Sequence, residues 1–292
     1  MFVDFDPFVL LFWIFLSSLI PGAMLSFSAF RKSEFGRIEK VLAGFGIGLI
    51  LLPMIPFLAY FLLGIQFSST LVMASVAMLY IASIAVFVKT KAYEDVPFDF
   101  SAIKPDRKLL GSIGILLIVL IAFWLRMSSY SPVFQELDPY YYTFAPYQLL
   151  EFGENPFDDQ TAWYPMEVNH RIVPALSYLE ASWYSLYTGG TEPDNMMLAV
   201  ISSIYPPIMA ALAFFFLYLF ISASFRREWA LLGAGMASFV PIIIIKTMAG
   251  EQEVQPYAFF ALAFFMAMYA FMAKTRETRY ALLAGLAFMA AS

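Results

Sequence analysis

Residues 109–126 read LLGSIGILLIVLIAFWLR, a run with no charge until the arginine that closes it. At the rise of an α-helix such a run covers about 27 Å, close to the hydrocarbon thickness of a bilayer. It is continuous rather than alternating, which favours a spanning helix over a strand of a membrane barrel. Working outward, the same reading applies at 7–29, 41–65, 70–88, 196–222, 229–248 and 257–273, with a shorter stub at 280–292. The expected fold class is all-α: a polytopic transmembrane helix bundle of about seven spanning helices and a partial eighth.

Composition agrees with this. Of the 292 residues 61% are hydrophobic and only 13% are charged, where a soluble domain is about half apolar and about a quarter charged. That excludes a soluble globular enzyme and a disordered chain. The chain has no cysteine and one histidine, which excludes disulfides, thiolate zinc sites, cysteine nucleophiles and multi-histidine metal centres. The first apolar run lacks a basic leader, since Asp4 and Asp6 precede it, and it ends at Arg31 and Lys32. It therefore reads as a retained helix and not as a signal peptide.

Fourteen of the 17 basic residues fall in alternate connections: 30–40, 89–108, 226–227 and 274–279. The positive-inside rule makes those loops cytoplasmic. The N-terminus, the 65–70 turn, the long 127–195 loop and the 249–256 connection are then extracytoplasmic, and they hold 14 of the 22 acids. The 127–195 loop is rich in Tyr, Phe and Trp, and a loop of that length is expected to be structured. Helices are predicted at about 139–152 and 170–187, lying flat with aromatic rings at headgroup depth. There is no internal repeat, GxGxxG, P-loop or HExxH motif, and nucleic acid is not among the expected partners.

Two acidic segments on the outer face carry candidate chemistry. In the first, Asp138 followed by Pro139 suits a helix start, yet a carboxylate fixed at the membrane surface also suits a divalent cation, and it has two oxygens to offer. In the second, Lys246 to Pro256, Glu251 and Glu253 precede a helix N-terminus, where the macrodipole favours acids. With Gln255 they are also the oxygen donors a hard cation takes. Together these segments predict a Mg²⁺ or Mn²⁺ site for a phosphate-bearing substrate, with a structural Ca²⁺ as the alternative. Lys246 and Arg126 close apolar runs, either snorkelling to the surface or contacting phosphate. His170, beside Arg171, is a hydrogen-bonding partner or a metal ligand. Asp158-Asp159 with Trp163-Tyr164-Pro165 is a turn packing the loop on the membrane, or an acid-plus-aromatic surface for a sugar.

Taken in order, ELDPYYY (136–142), NPFDDQTAWYP (155–165) and KTMAGEQEVQPYAFFAL (246–262) resemble the catalytic subunit of oligosaccharyltransferase, a family of GT-C membrane glycosyltransferases with archaeal members. The resemblance covers roughly 109–292. It implies a GT-C-like core there and a C-terminal remainder beyond residue 292, whereas the three additional N-terminal helices over 1–108 depart from the family pattern. It implies that Asp138 and Glu253 are catalytic metal-binding acids. Gln255 then stands where the family has a second acid, and a register shifted by two would use Glu251 and Glu253 instead. Lys246 stands where the family has arginine, and His170 matches a loop histidine of archaeal members. Lys246, Tyr140, Asp159, Trp163, Tyr164 and Arg171 are the implied substrate-binding residues. The implied reaction moves a sugar or oligosaccharide from a polyprenyl-phosphate-linked donor to an acceptor on the extracytoplasmic side, as in protein N-glycosylation. The implied partners are that lipid-linked donor, an acceptor protein or lipid, and membrane lipids. The alternatives are another GT-C enzyme (protein mannosyltransferase-like or a lipid-sugar transferase), or a non-catalytic scaffold, which Gln255 favours.

Overall fold

Capping residues, prolines and glycines set the helix ends. The computed structural model describes residues 5–96, 107–128, 130, 138–153, 158–159, 168–169 and 174–291. Asp6 caps α1 (Pro7–Ile14), its carboxylate accepting from the Phe8 N–H at 2.8 Å. A π-helical turn (Phe15–Leu19) carries α1 into α2 (Ile20–Ala29). In α3 (Arg37–Leu63) Glu39 folds back onto the Gly36 N–H at 2.6 Å, and the helix stops at Gly64 in the left-handed region. Ser68 caps α4 (Ser69–Lys89), and a 3-10 turn (Ala92–Asp95) follows. Next come α5 (Arg107–Met127) and α6 (Asp138–Phe152). A two-residue antiparallel pair, β1 (Asp158–Asp159) with β2 (Val168–Asn169), precedes α7 (Pro174–Thr188). The chain continues through α8 (Asn195–Ser202), α9 (Tyr205–Ser224), α10 (Arg227–Ser238), α11 (Pro241–Ile245), α12 (Val254–Thr275) and α13 (Thr278–Ala291).

Among the described residues, six helical stretches are long and apolar enough to cross a membrane: Pro7–Ala29, Arg37–Leu63, Ser69–Lys89, Lys108–Met127, Asn195–Ser224 and Val254–Thr275. The protein is a multi-pass, all-α membrane bundle. One run departs from expectation. The 229–248 stretch is divided into α10 and α11 at Phe239–Val240. Pro241 has no N–H to donate and pushes Val240 into an extended conformation (φ −65°, ψ 120°). The flanks of this broken helix meet different ends of the bundle, Arg227 pairing with Glu39 and Lys246 with Glu253.

The four basic connections meet at one end. Arg31 pairs with Glu94 at 2.5 Å, Lys40 with Asp95 at 3.3 Å, and Lys274 with Glu34 at 3.8 Å. Arg227 reaches the Glu34 carbonyl at 3.1 Å and the buried Glu39 carboxylate at 3.0 Å. Glu39 also accepts from the Tyr218 hydroxyl at 2.9 Å, so α3, α9 and α10 are bolted together there. The alternation of loops read from charge is thus present in the bundle.

Close approach of α2 to α3 depends on small residues. A Cβ on Gly48 would collide with the Ser18 carbonyl, and one on Gly22 with the Gly44 carbonyl. The largest helix pairing is α9 with α12. Phe216 stacks on Phe264 there at 4.1 Å between ring centroids. The two helices of the long loop behave differently from each other. Tyr140, Phe144 and Phe152 of α6 are exposed, as an interfacial helix requires. The rings of α7 are instead enclosed by protein: Tyr178, Trp183 and Tyr184 are buried, and Tyr178 packs edge-on against Phe57 of α3 and Phe67. The apolar face of α7 is covered by α1, α3, α4, α6 and α8, not by headgroups.

Candidate functional site

The end of the bundle away from the basic loops is organised around the connection from Lys246 to Glu253. Gly250 takes φ 92°, a conformation open to glycine, and lets this connection turn back towards α12. Each stretch of it is tied to a different helix. The Ala249 N–H donates to the Arg126 carbonyl of α5 at 3.0 Å, and the Gly250 N–H to the Ser203 carbonyl after α8 at 3.2 Å. The Tyr205 hydroxyl of α9 donates to the Glu253 carbonyl. Arg126 is fully buried, and its guanidinium donates to Thr247 Oγ1 at 2.7 Å, to the Ser238 carbonyl at 3.2 Å and to the Ala122 carbonyl at 3.0 Å. It also lies 4.8 Å from the Phe214 ring centroid. Arg126 therefore anchors the connection and does not snorkel.

The acids of this connection are held beneath the surface. Glu251 and Glu253 are 3% and 2% exposed. Glu253 is the N-cap residue of α12, yet its side chain makes no capping bond. Instead it pairs with Lys246 Nζ at 3.0 Å, and Glu251 lies 4.0 Å from the same ammonium. Gln252 between them is fully buried. Its Nε2 donates to Glu180 Oε2 of α7 at 2.7 Å. Its Oε1 lies 3.2 Å from the Thr143 hydroxyl of α6, which the Pro139 carbonyl shares.

Asp138 opens α6 and is exposed. One turn on, burial raises the pKa of the Tyr142 hydroxyl, and the carboxylates of Asp138 and Glu253 both add to that rise. Tyr142 is thus within electrostatic reach of both acidic segments, and the Thr143–Gln252 bond joins them directly. Glu180 is enclosed completely, and burial holds its carboxyl well above the usual carboxylate range, against the opposing effect of the Gln252 hydrogen bond and the neighbouring Ser202 hydroxyl.

Residues 109–292 match the family model for oligosaccharyl transferase STT3, N-terminal. The chain belongs to the oligosaccharyl transferase STT3 family. Over 191 residues, 62% of this chain, it is 29% identical to the dolichyl-diphosphooligosaccharide–protein glycosyltransferase subunit STT3A of Oryza sativa subsp. japonica. The matched stretch is 24% of that relative's length, so the chain spans about a quarter of it.

Asp138, Lys246, Glu251 and Glu253 lie at one end of the bundle, and Lys246 bridges the two glutamates. Gln255 is one residue inside α12 and exposed, apart from the buried glutamates. Tyr140 is 51% exposed on α6. Asp159 lies in β1, opposite Val168. Trp163, Tyr164, His170 and Arg171 lie outside the described residues. No group of three or more His, Cys, Asp or Glu side chains able to hold a metal ion occurs among the described residues. The donor chemistry of Asp138, Glu251 and Glu253 is nonetheless all carboxylate oxygen, which suits a hard divalent cation. Reading the sequence missed Glu180, Gln252, Thr143 and Tyr205. The available signal was Glu180 itself, the only charged residue in the aromatic stretch 174–188.

Proposed function

We propose that this chain carries the acidic, donor-binding end of an oligosaccharyltransferase-type glycosyltransferase. It would transfer a sugar or oligosaccharide from a polyprenyl-phosphate-linked donor to an acceptor on the extracytoplasmic face, as in protein N-glycosylation. The observation that carries this reading is the bonding of the 246–253 connection to the start of α6, which draws the two acidic segments together. The name of the rice relative, a dolichyl-diphosphooligosaccharide–protein glycosyltransferase subunit, supports the same donor and acceptor classes.

Asp138 and Glu253 would hold Mg²⁺ or Mn²⁺, with Glu251 as a further carboxylate. Such a cation supplies charge neutralisation at a leaving phosphate. Lys246, 37% exposed and already beside Glu253, would contribute a second positive group to the same phosphate. Arg126, Tyr205 and Gln252 keep the acids in place, so that little reorganisation is needed when donor arrives. A membrane-level site also suits the donor, whose polyprenyl tail would remain in lipid beside the helices.

The test is transfer by the full-length protein from a lipid-linked sugar in the presence of Mn²⁺. Asp138→Ala is expected to lower the rate by about 10²-fold or more, with unchanged membrane expression. Wild-type rates in that variant would remove the catalytic role of the α6 segment.

A further inference from the structure

We infer that Glu180 is a positioning residue: acting through Gln252, it locks the 246–253 connection, and with it Glu251 and Glu253, against α6 and α7. The geometry is a chain of side chains that none of the partners can exchange for water. Glu180 and Gln252 have no exposed surface, and Thr143 is 7% exposed. Gln252 Nε2 donates to Glu180 Oε2 at 2.7 Å, while Gln252 Oε1 faces the Thr143 hydroxyl at 3.2 Å. Both ends of one amide are therefore committed, one to each helix of the long loop. Residues 251 and 253 flank that amide directly, so a shift of Gln252 displaces both carboxylates and the ammonium they share.

The groups facing Glu180 are Gln252 from the connection, Ser202 of α8 and Tyr205 of α9. Burial among them raises the carboxyl's pKa well above the usual range and so favours its neutral form. Glu180 thus works as a neutral hydrogen-bonding group, and glutamine is its closest replacement. An alanine would leave the Gln252 amide buried without that acceptor, which is the costly way to break a hydrogen bond. The locking is a property of the fold, but its consequence for sugar transfer rests on the proposed function.

The experiment follows Lys246, the solvent-facing member of the network, in the full chain in detergent. An amine-acylating reagent is applied, and labelling at Lys246 is read by peptide mass spectrometry. Glu180→Ala is expected to speed labelling by about tenfold, the equilibrium weight of one lost buried hydrogen bond. Glu180→Gln is expected to label at the wild-type rate. Gln252→Met removes both bonds while keeping side-chain volume. It is expected to label at least as fast as Glu180→Ala, and it carries the measurement should that variant fail to accumulate. Equal labelling in all four proteins would overturn the inference, as would Glu180→Gln behaving like Glu180→Ala. The expected labelling pattern in a wild-type protein without transfer activity would count against the proposed function and support the positioning role.

Discussion

Glu253 sits where an acid would be expected to cap α12, and its carboxylate turns away to pair with Lys246 instead. That choice separates a helix-capping acid from one available to a ligand, and spacing along the chain does not reveal it. Glu180 poses the opposite case, a carboxyl enclosed so fully that burial drives its pKa well above the usual carboxylate range. The sign of its pH effect follows. Its folded pKa is raised, so as pH climbs above the ordinary glutamate value the unfolded chain ionises while the folded chain does not, and stability falls. Glu180→Gln removes that dependence. Its melting temperature in detergent is expected to exceed the wild type's at neutral pH and to converge with it towards pH 4. Parallel melting curves across that range would contradict a neutral Glu180.

For the helices, run length and charge placement make most of the spans readable from the sequence. Leu109 to Arg126 became α5, and 257–273 became the middle of α12. Hydropathy did not see the division of 229–248, because Pro241 is apolar while its effect lies in a missing N–H. Nor did it see that the rings of α7 face protein, since an aromatic helix looks the same whether headgroups or neighbouring helices cover it. Among the site residues, Asp138, Glu251 and Glu253 were legible as acids next to helix starts. Gln252 was overlooked between two charged neighbours, and its role exists only once α6 and α7 fold over it. Helix contacts also set a direct test. Gly48 lies against the Ser18 backbone with no room for a side chain. Gly48→Leu is expected to push the π-helical turn before α2 away from α3 and to lower stability by about 2 kcal/mol, read as a fall in melting temperature. An unchanged melt would mean the two helices do not need that contact.

Across the bundle, the basic connections gather at one end and the Glu251–Glu253–Lys246 cluster lies at the other. The basic end is stitched by Glu39, which joins the N-terminal helices to α9 and α10 through Tyr218 and Arg227. Residues 5–96 lie outside the stretch matched by the STT3 family model, yet α3 packs on α5, α7 and α9 of that stretch. Glu39→Ala is expected to cost about 2–3 kcal/mol, tempered because Arg227 is partly exposed. Its effect on the acidic end is expected to be small: if that end holds Mn²⁺ as proposed, the affinity stays at the wild-type value in a titration of the purified protein.

The acidic end is where the account is most open to refutation, through Mn²⁺ affinity measured in a double-mutant cycle of Asp138→Asn and Glu253→Gln. If the two segments share one ion, each single change weakens binding by about tenfold or more and the double change costs less than the sum of the two. Affinities that stay at the wild-type value, or that fall by independent and additive amounts, would mean that Asp138 and Glu253 do not serve a common cation.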